Sequence, residues 1–527
     1  MKKLIEKYPV WTVLVLSLIC LSPIMALRDF SPSNELRYLS IADEALRDGH
    51  IFAFTNHGAA YADKPPLYLW IVMLCRLLLG GHCMFVLSLF SFVPAAVITL
   101  TMDRWVYPFH SVAGKSGERM ALALMLWTTG LFLGMSVFLR MDMLMVMWIV
   151  LALYSWHRDR PGLFAFYTFM ALFTKGPVGL FVPPLAVVVY SISERIAARR
   201  RGAQLTGDHW NSVGRWLGWR FWALLAGLCA LWFAGVYLDG GREYLSNLLV
   251  HQTVGRAVNS FHHDRPLWYY LLNVWPVMLP WCLLAVPLSL LSLRHGGSAS
   301  VEASRTEKML RVTVLSTFVM LSCFSAKLSI YLAPIFPFVI YLVPLVSGRL
   351  GWRRWMSWAV ALPSALFALV GLALVGAVLF FGRIEALSDY GFARSPLVVL
   401  GGVVLAAGAV WTVVAALRRG GLRCTAPLAV AMLVAALVLS PLLPQANDYV
   451  GYANLCREIP AGETVYVRRV HRPENMDVYL GREVVKVEAD APIPGDGVLV
   501  SKKTFDDPAL QGRRKIVHGD YAVWLPR

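Results

Sequence analysis

The chain has 527 residues and a formal net charge of +17. It is 57% hydrophobic and only 15% charged, with a mean hydropathy of +0.58. Soluble chains average about a quarter charged residues, and one of this length could not hide so much apolar surface, so a soluble globular enzyme is excluded. A nucleic-acid partner is excluded by where the charge lies. From Asn447 to Arg527, twelve basic residues are balanced by twelve acidic ones, and the basic excess sits in short clusters between apolar runs.

In chain order, Lys2, Lys3 and Lys7 precede the apolar run Trp11–Ala26. Arg28 and Asp29 follow it where a small-residue cleavage site would be needed, so the run reads as an uncleaved first helix. The clusters Arg195/Arg199/Arg200/Arg201, Arg349/Arg353/Arg354 and Arg418/Arg419/Arg423 are placed on the cytoplasmic side. The polar stretch 28–64 then falls outside. Within it, Asn34–Arg47 carries Leu36, Leu39, Ala42, Ala45 and Leu46 at helical spacing, as expected of an amphipathic helix lying on the membrane surface. Pro65–Leu79 is short and reads as a juxtamembrane or half-inserted helix.

Crossings are expected at 85–105, 118–139, 141–156, 162–174, 177–191 and 217–238. A second outer stretch, 239–265, comes next, followed by crossings at 266–293, 309–326, 329–347, 355–382, 396–417 and 425–443. With the first helix this makes about thirteen crossings of a hydrocarbon layer about 30 Å thick, which puts the tail outside. The tail has turn-punctuated β-rich runs at 464–470, 483–487, 497–501 and 521–524, and a helical stretch at 447–459, as in a small α/β domain. The expectation is an all-α polytopic membrane protein with a membrane domain at 1–443 and an extracytoplasmic domain at 444–527. The eight cysteines are scattered without a C-x-x-C, and neither a P-loop nor a G-x-G-x-x-G on a βαβ unit is present. No nucleotide site is expected.

Ionisable residues at membrane depth are costly and therefore point to function. In this topology Glu35, Arg37, Asp63, Lys64, Arg140, Asp142, Lys175, His262, His263, Lys327 and Tyr331 all fall at the outer face. Cations beside a carboxylate suit transfer from a phosphate-bearing donor. The cations meet charge developing on the leaving oxygen, a carboxylate takes the acceptor's proton, and negative charge supports an oxocarbenium-like sugar. Each element alone also fits a solvated loop pair, a helix cap or a snorkelling lysine; their convergence is the signal.

Several segments carry a resemblance. They are Asn34-Glu35-Leu36-Arg37-Tyr38, Asp63-Lys64-Pro65-Pro66-Leu67-Tyr68, Arg140-Met141-Asp142, Thr174-Lys175-Gly176-Pro177, His263-Asp264-Arg265-Pro266-Leu267-Trp268-Tyr269-Tyr270, Pro280-Trp281 and Ser325-Ala326-Lys327-Leu328-Ser329-Ile330-Tyr331. In this order they resemble the GT-C superfamily of polyprenyl-phosphate-dependent glycosyltransferases, nearest the branch of lipid A aminoarabinose transferases and dolichyl-phosphate-mannose protein mannosyltransferases. The resemblance implies a GT-C fold and an inverting transfer from an undecaprenyl monophosphate carrier to lipid A or another envelope glycolipid, at the periplasmic face of a bacterial inner membrane. Glu35, Arg37, Lys64 and Asp142 are the implied catalytic group. Asn34, Tyr38, Tyr61, Arg140, Lys175, Lys327 and Tyr331 are implied to bind donor phosphate or substrate, and Asp63 with His263 a divalent metal, zinc or magnesium. One departure is plain: the family's usual Asp before the Glu is Asn34 here, which cannot take a proton, so the base role falls to Glu35. A protein O-glycosyltransferase is the alternative within the superfamily. A lipid or sugar transporter is the alternative outside it, and would need polar residues spread through the membrane depth.

Overall fold

A computed structural model describes residues 2–109, 116–200, 212–249, 265–293, 301–380, 390–488, 491–493 and 495–526. Arg201, His262 and His263 lie outside the described residues. Helices occupy every position where a crossing is expected. Among the described residues eight are long and apolar enough to span a membrane, and a bent pair would make a ninth. The chain is thus a multi-span membrane protein.

Helix α1 (Pro9–Leu27) opens with Pro at its first turn, where the missing N–H costs nothing. Helix α2 (Glu35–Asp48) stops at Gly49, whose φ of 79° is the left-handed conformation glycine adopts freely. A short hairpin follows, β1 (Thr55–Asn56) against β2 (Ala59–Ala60), with His57 and Gly58 both at positive φ, as a tight primed turn requires. Next come α3 (Leu67–Leu79), α4 (Met84–Val106) and the bent pair α5 (Ser116–Trp127) and α6 (Gly130–Val137), which meet at 73°. Helices α7 (Met141–His157), α8 (Pro161–Lys175) and α9 (Pro177–Arg200) are joined by very short links. Helix α10 (Trp219–Ser246) follows, broken at Gly241. The membrane part continues through α11 (Tyr269–Val277), α12 (Cys282–Leu291), α13 (Val301–Cys323), α14 (Phe336–Leu350), α15 (Arg354–Leu379), α16 (Pro396–Arg418) and α17 (Ala426–Leu439).

Two expectations change. Helix α2 does not lie open on a membrane surface: Leu36, Leu39, Ile41, Ala42 and Ala45 are buried, and so are Glu35, Tyr38, Ser40 and Glu44. Its polar face is covered by the tail, where Asp477 accepts a 2.7 Å hydrogen bond from Ser40. The stretch 239–265, expected as an outer loop, opens instead on helix, because α10 runs on through Asp239. That carboxylate accepts from the backbone N–H groups of Ile51, Phe52 and Ala53 at 2.9, 2.7 and 2.8 Å, and lies 2.9 Å from His50 Nδ1. It ties α10 to the first outer loop. Helix α3 is short and apolar, with Tyr68, Leu69, Val72 and Met73 buried and Leu74, Leu77, Leu78 and Leu79 exposed.

Small residues let the backbones approach closely. A Cβ on Gly371 of α15 would meet the Gly402 carbonyl of α16 at 2.5 Å, and one on Gly402 would meet the Gly371 carbonyl at 2.6 Å. Gly371→Ala is therefore expected to cost about 1–3 kcal/mol by overpacking, seen as a lower apparent thermal midpoint in detergent. Gly227→Ala, whose added carbon meets open space, should not lower it.

The tail begins with two short helices, Leu443–Val450 and Ala453–Arg457, broken at Gly451. A mixed five-stranded sheet follows, in the order β4-β3-β5-β7-β6. Strands β3 (Val465–Arg468), β4 (Val485–Lys486) and β5 (Val498–Lys502) pair in parallel, and β7 (Tyr521–Leu525) is antiparallel to β5 and β6. Strand β6 (Arg514–His518) was not foreseen. It lies at the sheet edge, where Arg514, Lys515 and His518 mask the apolar alternation and keep the edge from pairing further.

Candidate active site

Several of the expected residues come from the ends of different helices and group around Asp142 and Tyr38. Asp142 stands in the first turn of α7 and is 2% exposed. Arg140 immediately precedes this helix, and its Nε lies 3.5 Å from Asp142 Oδ2. Lys175, the last residue of α8, donates to Asp142 Oδ1. It is held there by the turn at Gly176, with φ 92° and ψ −149°, before Pro177 starts α9. The Lys175 ammonium also lies over the Tyr331 ring, 5.1 Å from its centre.

From α2, the Arg37 guanidinium sits over the rings of Tyr38 and Tyr61, at 5.9 and 5.7 Å, and its Nη2 donates to Asn34 Oδ1 at 3.3 Å. Asn34 is thus an acceptor for Arg37 and not a proton carrier. Tyr38 is buried, and burial pushes its phenol up. The charge of Asp142 adds to this, while Arg37 and Arg140 oppose it, so all three charged groups act on one ring. Tyr68 of α3 packs edge-on against Tyr38 at 5.8 Å. Among the described residues, the buried Nε of Arg37, the buried Nε of Arg140 and the Tyr68 hydroxyl meet no hydrogen-bond acceptor. Arg140 stands beside the Asp142 carboxylate and Arg37 acts with both on the Tyr38 ring, and guanidinium donors left unsatisfied there suit an incoming anion.

The expected base, Glu35, is placed differently. It is 1% exposed. Arg28 grips both its oxygens, Nη1 to Oε2 at 2.7 Å and Nη2 to Oε1 at 2.5 Å. The backbone N–H groups of Ser31 and Leu139 donate to it as well, at 2.8 and 2.6 Å. Its acceptor capacity is used up, so Glu35 pins the end of α1 and the start of α2 to the segment that leads into Arg140. It is not set to receive a proton.

Lys327, 3% exposed, donates to the Arg265 carbonyl at 2.9 Å, and so ties the segment before Tyr331 to residue 265. Asp63 and Lys64 are half-buried, on a segment anchored where the Tyr244 hydroxyl donates to the Tyr61 carbonyl at 2.7 Å. For the metal that the resemblance implies, Asp63 is the described half of the expected pair and His263 lies outside the described residues. Among the described residues no group of three His, Cys, Asp or Glu could hold an ion. One turn beyond Arg37, a cleft of about 800 Å³ opens between α2 and the tail, lined in part by Ser40, Asp43, Glu44, His57, Asp477 and Arg482.

Arg28, Tyr68 and Asp239 were not among the expected site residues. Arg28 carried a usable signal, since a charge directly after an apolar helix needs a buried partner or open water.

No family model matches the chain. It is 25% identical over 381 residues to an undecaprenyl phosphate-α-4-amino-4-deoxy-L-arabinose arabinosyl transferase of Shewanella sediminis, covering 68% of this chain and 64% of that protein. It is likewise 25% identical over 385 residues to the transferase of that name from Edwardsiella ictaluri, covering 69% and 62%. The chain thus spans slightly under two thirds of the length of these curated relatives. The crystal structure of ArnT from Cupriavidus metallidurans bound to undecaprenyl phosphate superimposes with a TM-score of 0.68 at 18% identity, over 98% of this chain and 96% of that one. The fold is therefore that of ArnT.

Proposed function

We propose that the protein transfers a sugar from an undecaprenyl monophosphate carrier to lipid A or a similar envelope glycolipid, with inversion, at the periplasmic face of a bacterial inner membrane. One observation carries the reading. Among the described residues the buried Nε–H groups of Arg37 and Arg140 make no hydrogen bond, Arg140 Nε stands 3.5 Å from the buried carboxylate of Asp142, and both guanidiniums act with that carboxylate on the Tyr38 ring, in a fold shared with a protein whose structure holds undecaprenyl phosphate. A phosphodiester of the carrier satisfies the donors, and the carboxylate receives the proton of the acceptor hydroxyl. That hydroxyl oxygen bonds to the anomeric carbon as the carbon–oxygen bond to phosphate breaks, and undecaprenyl phosphate departs with the bonding pair. Arg37, Arg140, Lys64 and Lys175 meet the charge that develops on the leaving oxygen. Asp142 replaces Glu35 as the base in this scheme, because Glu35 is fully engaged. The cleft beside α2 gives an acceptor headgroup room next to the site.

In this reading the shorter helices α7, α8 and α11 with α12 cross as well, and so does the longer but more polar α13. That gives about thirteen crossings, with the N-terminus cytoplasmic and the tail periplasmic. The ion pairs Arg119–Asp103, Arg215–Asp159, Lys308–Glu194 and Arg349–Glu307 then all lie at the cytoplasmic ends of their helices, away from the site, which supports a one-sided enzyme over a transporter. Should a divalent ion bind, Asp63 and His263 would hold it and it would add positive charge near the donor phosphate. Two protein ligands are few for a tight site, and no step above passes through it.

The test is turnover. Purified protein is given labelled undecaprenyl phosphate-linked sugar and lipid A, with a Ser/Thr-rich peptide as a competing acceptor. Release of undecaprenyl phosphate with label on lipid A is expected, and Lys64→Ala should lower the rate by at least about 10²-fold. Label on the peptide would move the reading to protein glycosylation. No release from the intact protein would refute it.

A further inference from the structure

We infer that Asp29 is a positioning residue through which the periplasmic tail holds the reactive end of α7 in register, a role that rests on the transfer reading above. Asp29 is buried, 6% exposed, and takes no part in the scheme above. Its carboxylate faces the tail: Oδ2 accepts from the Ala453 N–H at 2.8 Å, and Oδ1 accepts from the Tyr479 hydroxyl and, at 2.7 Å, from the Phe30 N–H. Asn447 completes the clasp by accepting from the Asp29 N–H at 2.9 Å and donating to the Leu27 carbonyl at 2.8 Å. Gly451 sits against the same carboxylate, and a Cβ there would meet Asp29 Oδ2 at 2.0 Å. Burial and the nearby charge of Glu35 push the Asp29 carboxyl up, and the bonds from Tyr479, Ala453 and Phe30 pull it part of the way back, two of them supplied by the tail.

The next residue along the chain turns the other way. Arg28 holds Glu35 and donates to the Val137 carbonyl at 3.2 Å, and Glu35 accepts from the Leu139 N–H at 2.6 Å. Ser91 fixes the same stretch by donating to the Phe138 carbonyl at 2.6 Å. Arg140 and Asp142 come directly after it. An unbroken run of bonds therefore joins the tail, through Asp29 and its neighbour Arg28, to the backbone that aims the base. A tail that merely covered the outer surface would need no buried carboxylate at its root, since an unpaired one is costly.

The experiment uses the full chain in lipid nanodiscs and compares Asp29→Ala, Asp29→Asn, Gly451→Ala and Tyr479→Phe. Ser501→Ala serves as a control that removes the 3.1 Å bond from the Trp524 indole inside the tail sheet. Two readouts are taken: kcat and donor KM from turnover, and hydrogen exchange of the segments 28–40 and 137–142. Asp29→Ala and Gly451→Ala should lower kcat about 10–100-fold, because small misplacements of reacting groups are expensive, with donor KM within about two-fold of the intact protein. Both should speed exchange in the two segments. Asp29→Asn and Tyr479→Phe should fall between these and the intact protein, and Ser501→Ala should change neither readout. Unchanged kcat in Asp29→Ala, or faster exchange confined to the tail, would overturn the inference. If the intact protein transfers no sugar, the transfer reading fails on its own, and the exchange of segment 137–142 still decides the coupling.

Discussion

Asp142→Asn is expected to lower turnover by about 10²–10⁴-fold, the contribution of a positioned general base, while undecaprenyl phosphate still binds. The substitution keeps the side-chain shape and an oxygen for Lys175, so α7 and α8 should stay joined, but it removes the group proposed to take the acceptor's proton. The loss should fall on kcat with little change in donor KM. A variant that kept wild-type turnover would return the base role to another carboxylate. Asp63 would be the next to test, since both oxygens of Glu35 are held by Arg28.

Separating Arg28 from Glu35 should be the most damaging change to the fold. Their side chains are 5% and 1% exposed, so removing one leaves a buried charge unpaired, at a cost of about 3–5 kcal/mol. Glu35→Ala and Arg28→Ala are each expected to lower the apparent thermal midpoint sharply. The double replacement Arg28→Met/Glu35→Leu should recover much of that loss, because no lone charge is then buried. The same series separates a pin from a base. Were Glu35 the proton acceptor, Glu35→Gln would keep the intact protein's stability and lose turnover. As a pin, it should lose stability first.

Much of the architecture was legible because lipid makes its demands in composition. Apolar runs, Arg clusters and Pro or Gly at their ends place the helices from α1 to α17, and the turn at Lys175-Gly176-Pro177 is plain in the chain. The length of α10 was not, because an Asp inside an apolar helix reads as a helix end until its backbone partners at 51–53 are known. Strand β6 escaped for a related reason, since its edge position favours charge over alternation. In the site, the residue types and their grouping could be read, and Arg37, Tyr38, Arg140, Asp142, Lys175 and Tyr331 do come together. The division of labour between two carboxylates could not. Glu35 and Asp142 are both buried acids near cations, and only the geometry shows that one has every oxygen engaged by short hydrogen bonds while Oδ2 of the other has a looser 3.5 Å ion pair with Arg140.

The most direct measurement is equilibrium binding of labelled undecaprenyl phosphate to the purified protein and to Arg140→Ala and Arg37→Ala. Saturable binding to the intact protein is expected, weakened by each replacement by about 1.5–3 kcal/mol, the worth of a charged hydrogen bond, and competed by the sugar-bearing carrier. Equal affinity in all three proteins would mean that these guanidiniums do not grip the phosphate.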